Sequence, residues 1–285
     1  MNKSLIGVAS LLTIGVLFGL SGVIAKYLSG WLNPYQVVEY RFAIAFLIAT
    51  FVLLITKQKL SFSKIDPKAL VFFALTFPVS VIFFTLAIFN TTVSLAVFSF
   101  YISTLVSSFV VGKIFFGEQI TKNKKIALFF ILLAVIAFTD PFKNFNLQIG
   151  FVYGTISGIF QTIASSYQKI LGKSTNRISL LFIQTLTGII VAASVLIYTS
   201  NPLLVALPTT ALLISFVFGA IFLAISYLFL VGFKYTNLNT GSILVSSELF
   251  FGPFFAYTLL SEKLGIIELI GGLLVAVSII FANKD

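Results

Sequence analysis

Glu39 and Arg41 stand two residues apart in PYQVVEYRFAIAFLI (34–48), an apolar run that continues to Thr56, and Glu248 stands near the middle of GSILVSSELFFGPFF (241–255). A charge inside so apolar a segment is costly unless it is paired or faces water, which makes each of these residues a candidate for function. On a helix Glu39 and Arg41 point in different directions and do not pair with each other. Two readings of Arg41 stay open: a guanidinium turned inward to fork a carboxylate, or one that snorkels to the interface while Glu39 caps the start of the helix. Glu248 also has two readings. It is a site residue that contacts substrate or carries a coupling proton, with Glu39 the other carboxylate available for coupling. Alternatively it is a structural glutamate bonded to backbone at a helix break near Pro253. Gln161 and Ser165 lie four apart and share a helix face, in a polar stripe that includes Ser166 and Tyr167. Gln184 corresponds to Arg41 at a separation of 143, and Tyr101, Ser103 and Tyr227 interrupt other apolar runs. For each tyrosine, ordinary aromatic packing is the competing reading. Together, Arg41, Tyr101, Gln161, Ser165, Gln184, Tyr227 and Glu248 are the candidate substrate contacts. A few hydrogen-bonding groups in an apolar setting suit reversible binding of a small molecule.

The same inventory argues against bond-making chemistry. The chain has no cysteine and no histidine, which removes thiolate nucleophiles and the usual proton shuttle and metal ligand. No G-x-x-x-x-G-K-[ST] loop and no acidic cluster occurs. The expectation is a protein that is not an enzyme and carries no metal or cofactor.

The elements that position these residues follow from composition. Of 285 residues, 59% are hydrophobic and 9% charged, against roughly a quarter charged in soluble domains. Such a chain belongs in a lipid bilayer. Stretches of about 20 apolar residues fall at 5–28, 34–56, 68–89, 92–116, 123–139, 148–170, 177–198, 208–233, 239–260 and 265–282, which predicts an all-α protein with ten transmembrane helices. Lys3, Lys57, Lys59, Lys64, Lys68, Lys122, Lys124, Lys125, Lys169, Lys173, Arg177, Lys234 and Lys284 gather on one side, against Lys26, Lys143 and Lys263 on the other. The positive-inside rule then places both termini in the cytoplasm and the chain in the cell membrane. It also explains the net charge of +10 without a nucleic-acid partner. The expected partners are the bilayer and a small-molecule substrate, with the protein a monomer or homodimer.

The chain also repeats itself. FFGEQITKNKKIALFFILLAVIAF (115–138) matches LLSEKLGIIELIGGLLVAVSIIF (259–281), with Glu118 on Glu262. TTVSLA (91–96) matches TNLNTG (236–241), and GVLFGLSGVIAKYL (15–28) matches GIFQTIASSYQKIL (158–171), with Gly15 on Gly158 and Lys26 on Lys169. Five spans per half is an odd number, so residues 146–285 sit inverted relative to residues 1–140, a common plan in transporters. Gly15, Gly19, Gly22, Gly154 and Gly158 are expected to permit close helix packing.

AIFNTTVSLAVF…FFGEQIT, followed by FKYTNLNTGSILVSSELFFGPFFAYTLLSEKL, resembles the EamA family of the drug/metabolite transporter superfamily, as two EamA repeats over nearly the whole chain. Glu118 and Glu262 carry the most specific mark, SSELFFGPFFA (246–256) looks like the family's Glu-plus-proline segment, and YRFAIAF (40–46) like its span-2 arginine segment. The first repeat has no proline in span 4, and Phe18-Gly19 stands where Trp-Gly is frequent. The resemblance implies two inverted five-helix repeats around a central cavity. It also implies transport of small metabolites, often amino acids or drugs, by alternating access in the export direction. An uptake carrier of the same fold, or a scaffold or lipid-handling protein without a transport cycle, are the alternatives.

Overall fold

The sequence punctuates its own helices. Asn33 accepts from the Gln36 backbone N–H while the Gln36 side chain accepts from Asn33 N–H, a reciprocal cap that starts a helix at Pro34. Asp66 accepts from Lys68 and Ala69 N–H ahead of Pro67, and Asn176 from Ile178 N–H. In each case a short polar side chain satisfies donors that the first turn leaves unpaired.

A computed structural model describes residues 3–62, 65–91, 93–139, 149–172, 176–260 and 266–284. Its helices are α1 (Lys3–Leu28), α2 (Pro34–Thr56), α3 (Pro67–Asn90), α4 (Val93–Phe116), α5 (Lys122–Thr139), α6 (Ile149–Leu171), α7 (Arg177–Tyr198), α8 (Thr209–Tyr235), α9 (Leu238–Val245), α10 (Glu248–Leu260) and α11 (Ile266–Ala282). The ten expected spans are present, and the ninth is broken into α9 and α10. Glu262, Lys64, Lys143, Lys173 and Lys263 lie outside the described residues.

Seven segments, with α9 and α10 taken as one, are long and apolar enough by themselves to cross a membrane. The other three spans fall short for visible reasons. α5 opens on Lys122, Lys124 and Lys125, α6 carries the polar stripe, and α11 has 17 described residues.

Packing ties the two halves together and repeats itself. α3 packs on α6 and α1 on α8; α4 packs on α6 and α1 on α10; α2 and α5 meet their own counterparts α7 and α11. Exchanging each helix for its partner in the other repeat maps every one of these contacts onto another or onto itself. That is the pseudo-two-fold relation expected of inverted repeats. It extends to atoms. A Cβ on Gly15 would meet Ser247, and one on Gly158 would meet Ser103, its counterpart at a separation of 144. Gly19 and Gly154 pack as closely, whereas a Cβ on Gly22 would meet nothing within 4 Å among the described residues.

The break in the ninth span falls at Ser246 and Ser247, more than a turn before the expected position near Pro253, which sits inside α10. Ser247 N–H donates to Leu244 O (3.1 Å) and Leu249 N–H to Ser246 O (3.0 Å), a tight turn that replaces the α pattern. Gly15 allows α1 to lie against this turn, because any side chain there would collide with Ser247 and with Glu248 N.

Candidate functional site

Behind the break, five helices enclose a small cavity. α1 contributes Phe18 and α8 contributes Phe229 and Phe233, so one wall is aromatic. α4 contributes Tyr101 and Thr104, α6 contributes Gln161 and Ser165, and α9 contributes Ser242. These residues come from both repeats. The free space is about 20 Å³, room for about one water molecule.

Each polar group on this wall is held. The Tyr101 hydroxyl donates to Glu248 Oε2, which ties unbroken α4 of the first repeat to the start of α10 in the second. Tyr101 is 1% exposed, so the contact is shielded from competing solvent. Gln161 Nε2 donates to Ser165 Oγ at 3.4 Å, and Ser80 Oγ reaches Gln161 Oε1 at 3.4 Å. Ser80 is itself locked to α6, since Ser157 Oγ donates to Ser80 O (2.7 Å) and Ser80 Oγ to Ser157 O (3.0 Å). Tyr101, Gln161 and Ser165, picked from sequence as candidates, thus converge on one cavity beside Glu248. No basic side chain lines it among the described residues.

Other sequence candidates sit elsewhere. Arg41 leaves α2 toward α8, where its guanidinium carbon lies 4.6 Å from the Phe218 ring centre and 5.5 Å from that of Phe222. Phe222 stacks on Phe77, which meets Phe229 edge-on, so a chain of rings separates Arg41 from the cavity. Its Nε is buried with no hydrogen-bond partner among the described residues, as is Glu39 Oε2. Gln184 is fully buried on α7, with neither amide atom bonded among the described residues and no place in the cavity lining. Tyr227 faces outward, 40% exposed, and its hydroxyl accepts from Arg177 Nη1 at 3.3 Å.

A contact that the sequence reading did not anticipate closes the basic end. Glu118, in the α4–α5 turn, pairs with Lys169 of α6. The same carboxylate accepts from Leu238 N–H (2.6 Å) and Asn239 N–H (3.1 Å) at the start of α9. It therefore compensates the positive end of that helix and joins three elements from both halves. The Lys169 ammonium also lies 4.9 Å from the Phe116 ring centre. By sequence Lys169 groups with the loop lysines; the clue is its place inside SSYQKIL, in the last turn of α6.

Comparison with known proteins agrees with this architecture. The model of the EamA-like transporter family matches residues 5–139 and again residues 148–284. A protein of known crystal structure has the same fold: TM-score 0.81 at 12% identity, covering 99% of this chain and 96% of that one. A search of curated proteins found no significant match. With two family repeats covering nearly all of its length and ten spans packed as interlocked halves, this multi-pass membrane protein belongs to the EamA-like transporter family.

Proposed function

We propose that this protein carries small organic metabolites, amino acids among them, across the cytoplasmic membrane by alternating access, working as an exporter with both termini in the cytoplasm. The observation that carries the reading is the Tyr101–Glu248 contact at the wall of a cavity built by both halves. A carboxylate is placed there without a basic residue beside it, and it sits at the only described helix break in a span. That is where a substrate's ammonium group, or a coupling proton, finds a charge to bind. The substrate contacts of this proposal are Tyr101, Gln161, Ser165 and Glu248; Arg41, Gln184 and Tyr227 lie outside it. A space of about 20 Å³ admits a metabolite only if helices move apart, and alternating access supplies that motion. The direction follows from the family likeness and is set in the cell by gradients. The cytoplasmic placement of the termini rests on the lysines gathered at one end.

The test is counterflow in proteoliposomes loaded with unlabelled amino acids and offered labelled ones. Exchange above that of protein-free vesicles supports a carrier. Absence of exchange across the whole set of proteinogenic amino acids would overturn the substrate class. A C-terminal tag accessible only from outside would overturn the orientation.

A further inference from the structure

On the cavity face of α6, the polar stripe does not end at Ser165. Gln168 follows seven residues after Gln161 and three after Ser165, spacings that keep all three on one side of the helix. Gln168 is completely buried, and neither its Nε2 nor its Oε1 has a partner among the described residues. Ser226 of α8 is equally buried, and its hydroxyl is equally unpartnered. The two stand at corresponding positions. α6 and α8 touch at Gly172, where a Cβ would lie 2.7 Å from Leu230 O, and Gln168 and Ser226 are each four residues before that contact.

Groups of this kind are rare in folded proteins, because a buried amide loses its bonds to water and must recover them from the protein. Gln161 shows the ordinary outcome on the same face, with both ends engaged. Gln168 departs from it.

Resting on the transport reading above, we propose that Gln168 and Ser226 form a second substrate station on the α6–α8 seam, which takes an uncharged part of the substrate bearing both a hydrogen-bond donor and an acceptor. An amide matches a carboxamide or hydroxyl group through complementary N–H and C=O, and Ser226 can either donate or accept. A substrate with its ammonium at Glu248 and a polar side chain at this seam satisfies both stations. An apolar side chain leaves the amide unpaired, and specificity of this type is strong because the unpaired group is in the protein.

The experiment uses the full chain in proteoliposomes, with glutamine and serine as polar probes and leucine as the apolar one, on wild type, Gln168→Leu and Ser226→Ala. The expected result is a preference for glutamine over leucine in wild type, lost in Gln168→Leu through about a tenfold rise in the glutamine KM with leucine unchanged. Ser226→Ala should move the same way by a few-fold. Equal changes for all three probes, or none, would overturn the station. A wild type that exchanges none of them while exchanging other amino acids would also overturn it. No exchange of any amino acid strikes the transport reading itself. A second measurement stands apart from transport: replacing an unpartnered amide by an apolar side chain of similar size should leave the melting temperature in detergent unchanged or raised. A clear fall would show that Gln168 is a bonded structural residue.

Discussion

The buried contact at the basic end makes the sharpest prediction about stability. The Glu118 side chain is 4% exposed and that of Lys169 10%, so solvent screening does little to weaken their attraction. Removing one partner of a buried pair strands the other charge and costs about 3–5 kcal/mol. The two removals are not equivalent. In Lys169→Met the Glu118 carboxylate keeps its bonds from Leu238 and Asn239 N–H and the favourable end of α9, so the loss should sit near the bottom of that range. In Glu118→Gln the buried ammonium loses its counter-charge and keeps the amide oxygen and the face of Phe116, and Asn239 N–H now meets an amide NH2. That loss should sit near the top. The double variant removes both charges, and a neutral pair of similar volume should cost well under the sum, with a coupling energy of about 2 kcal/mol or more.

The assay is unfolding of purified protein in mixed micelles, with a double-mutant cycle. If each single variant costs under about 1 kcal/mol, the pair behaves as a solvated surface bridge and the reasoning fails. If the losses are simply additive, Glu118 serves α9 and Lys169 serves Phe116 independently, and the contact does not join the halves as described.

Three further expectations follow from the same geometry. Glu248→Gln should abolish gradient-driven accumulation in proteoliposomes while leaving substrate exchange intact; accumulation like wild type would make Glu248 structural. Gly19→Ala places a methyl 2.7 Å from the backbone of Phe251 and Gly252, an overpacking cost of about 1–3 kcal/mol, read as a lower melting temperature; an unchanged value would mean that α1 and α10 separate freely. Arg41→Lys exchanges a stacked guanidinium for an ammonium and should cost about 0.5–2 kcal/mol of stability with substrate affinity unchanged, whereas a tenfold loss of affinity in binding assays would return Arg41 to the substrate.

Helix positions were readable because the ends are written in Asn33-Pro34, Asp66-Pro67 and Asn176, whose effects are local. The break at Ser246-Ser247 was misplaced because Pro253 is the stronger local signal. Pro253 sits inside α10, where it forfeits the bond to Leu249 O without ending the helix, whereas the turn lies against α1, whose Gly15 and Gly19 admit the bent backbone. Arg41 illustrates the opposite limit. Its two neighbours across the interface, Phe218 and Phe222, are far away in sequence and lie on a helix whose facing side no periodicity identifies. The Glu118–Lys169 contact joins residues 51 apart through an interlocking of halves that appears only when inverted repeats are packed. Gln168 is not among the stripe residues the sequence singles out, Gln161, Ser165, Ser166 and Tyr167; helical spacing from Gln161 reaches it, but its lack of a partner among the described residues is visible only in the packed structure.

The places where the repeats differ explain why the second half holds the charge. At a separation of 144, Glu248 corresponds to Thr104, whose hydroxyl donates to Gly158 O at 3.3 Å across the close α4–α6 interface. In the first half this position is thus used up in fastening α4 to α6, and α4 runs unbroken from Val93 to Phe116. In the second half the helix breaks one residue earlier, and the side chain reaches across to Tyr101 instead of to its own packing partner α1. A continuous helix bonded along its length makes a stiff wall; a short helix ending in a turn can reorient with its carboxylate. In the proposed cycle the two halves exchange arrangements, and Glu248, a carboxylate at the cavity wall that the first half does not repeat, gives that exchange a chemical object.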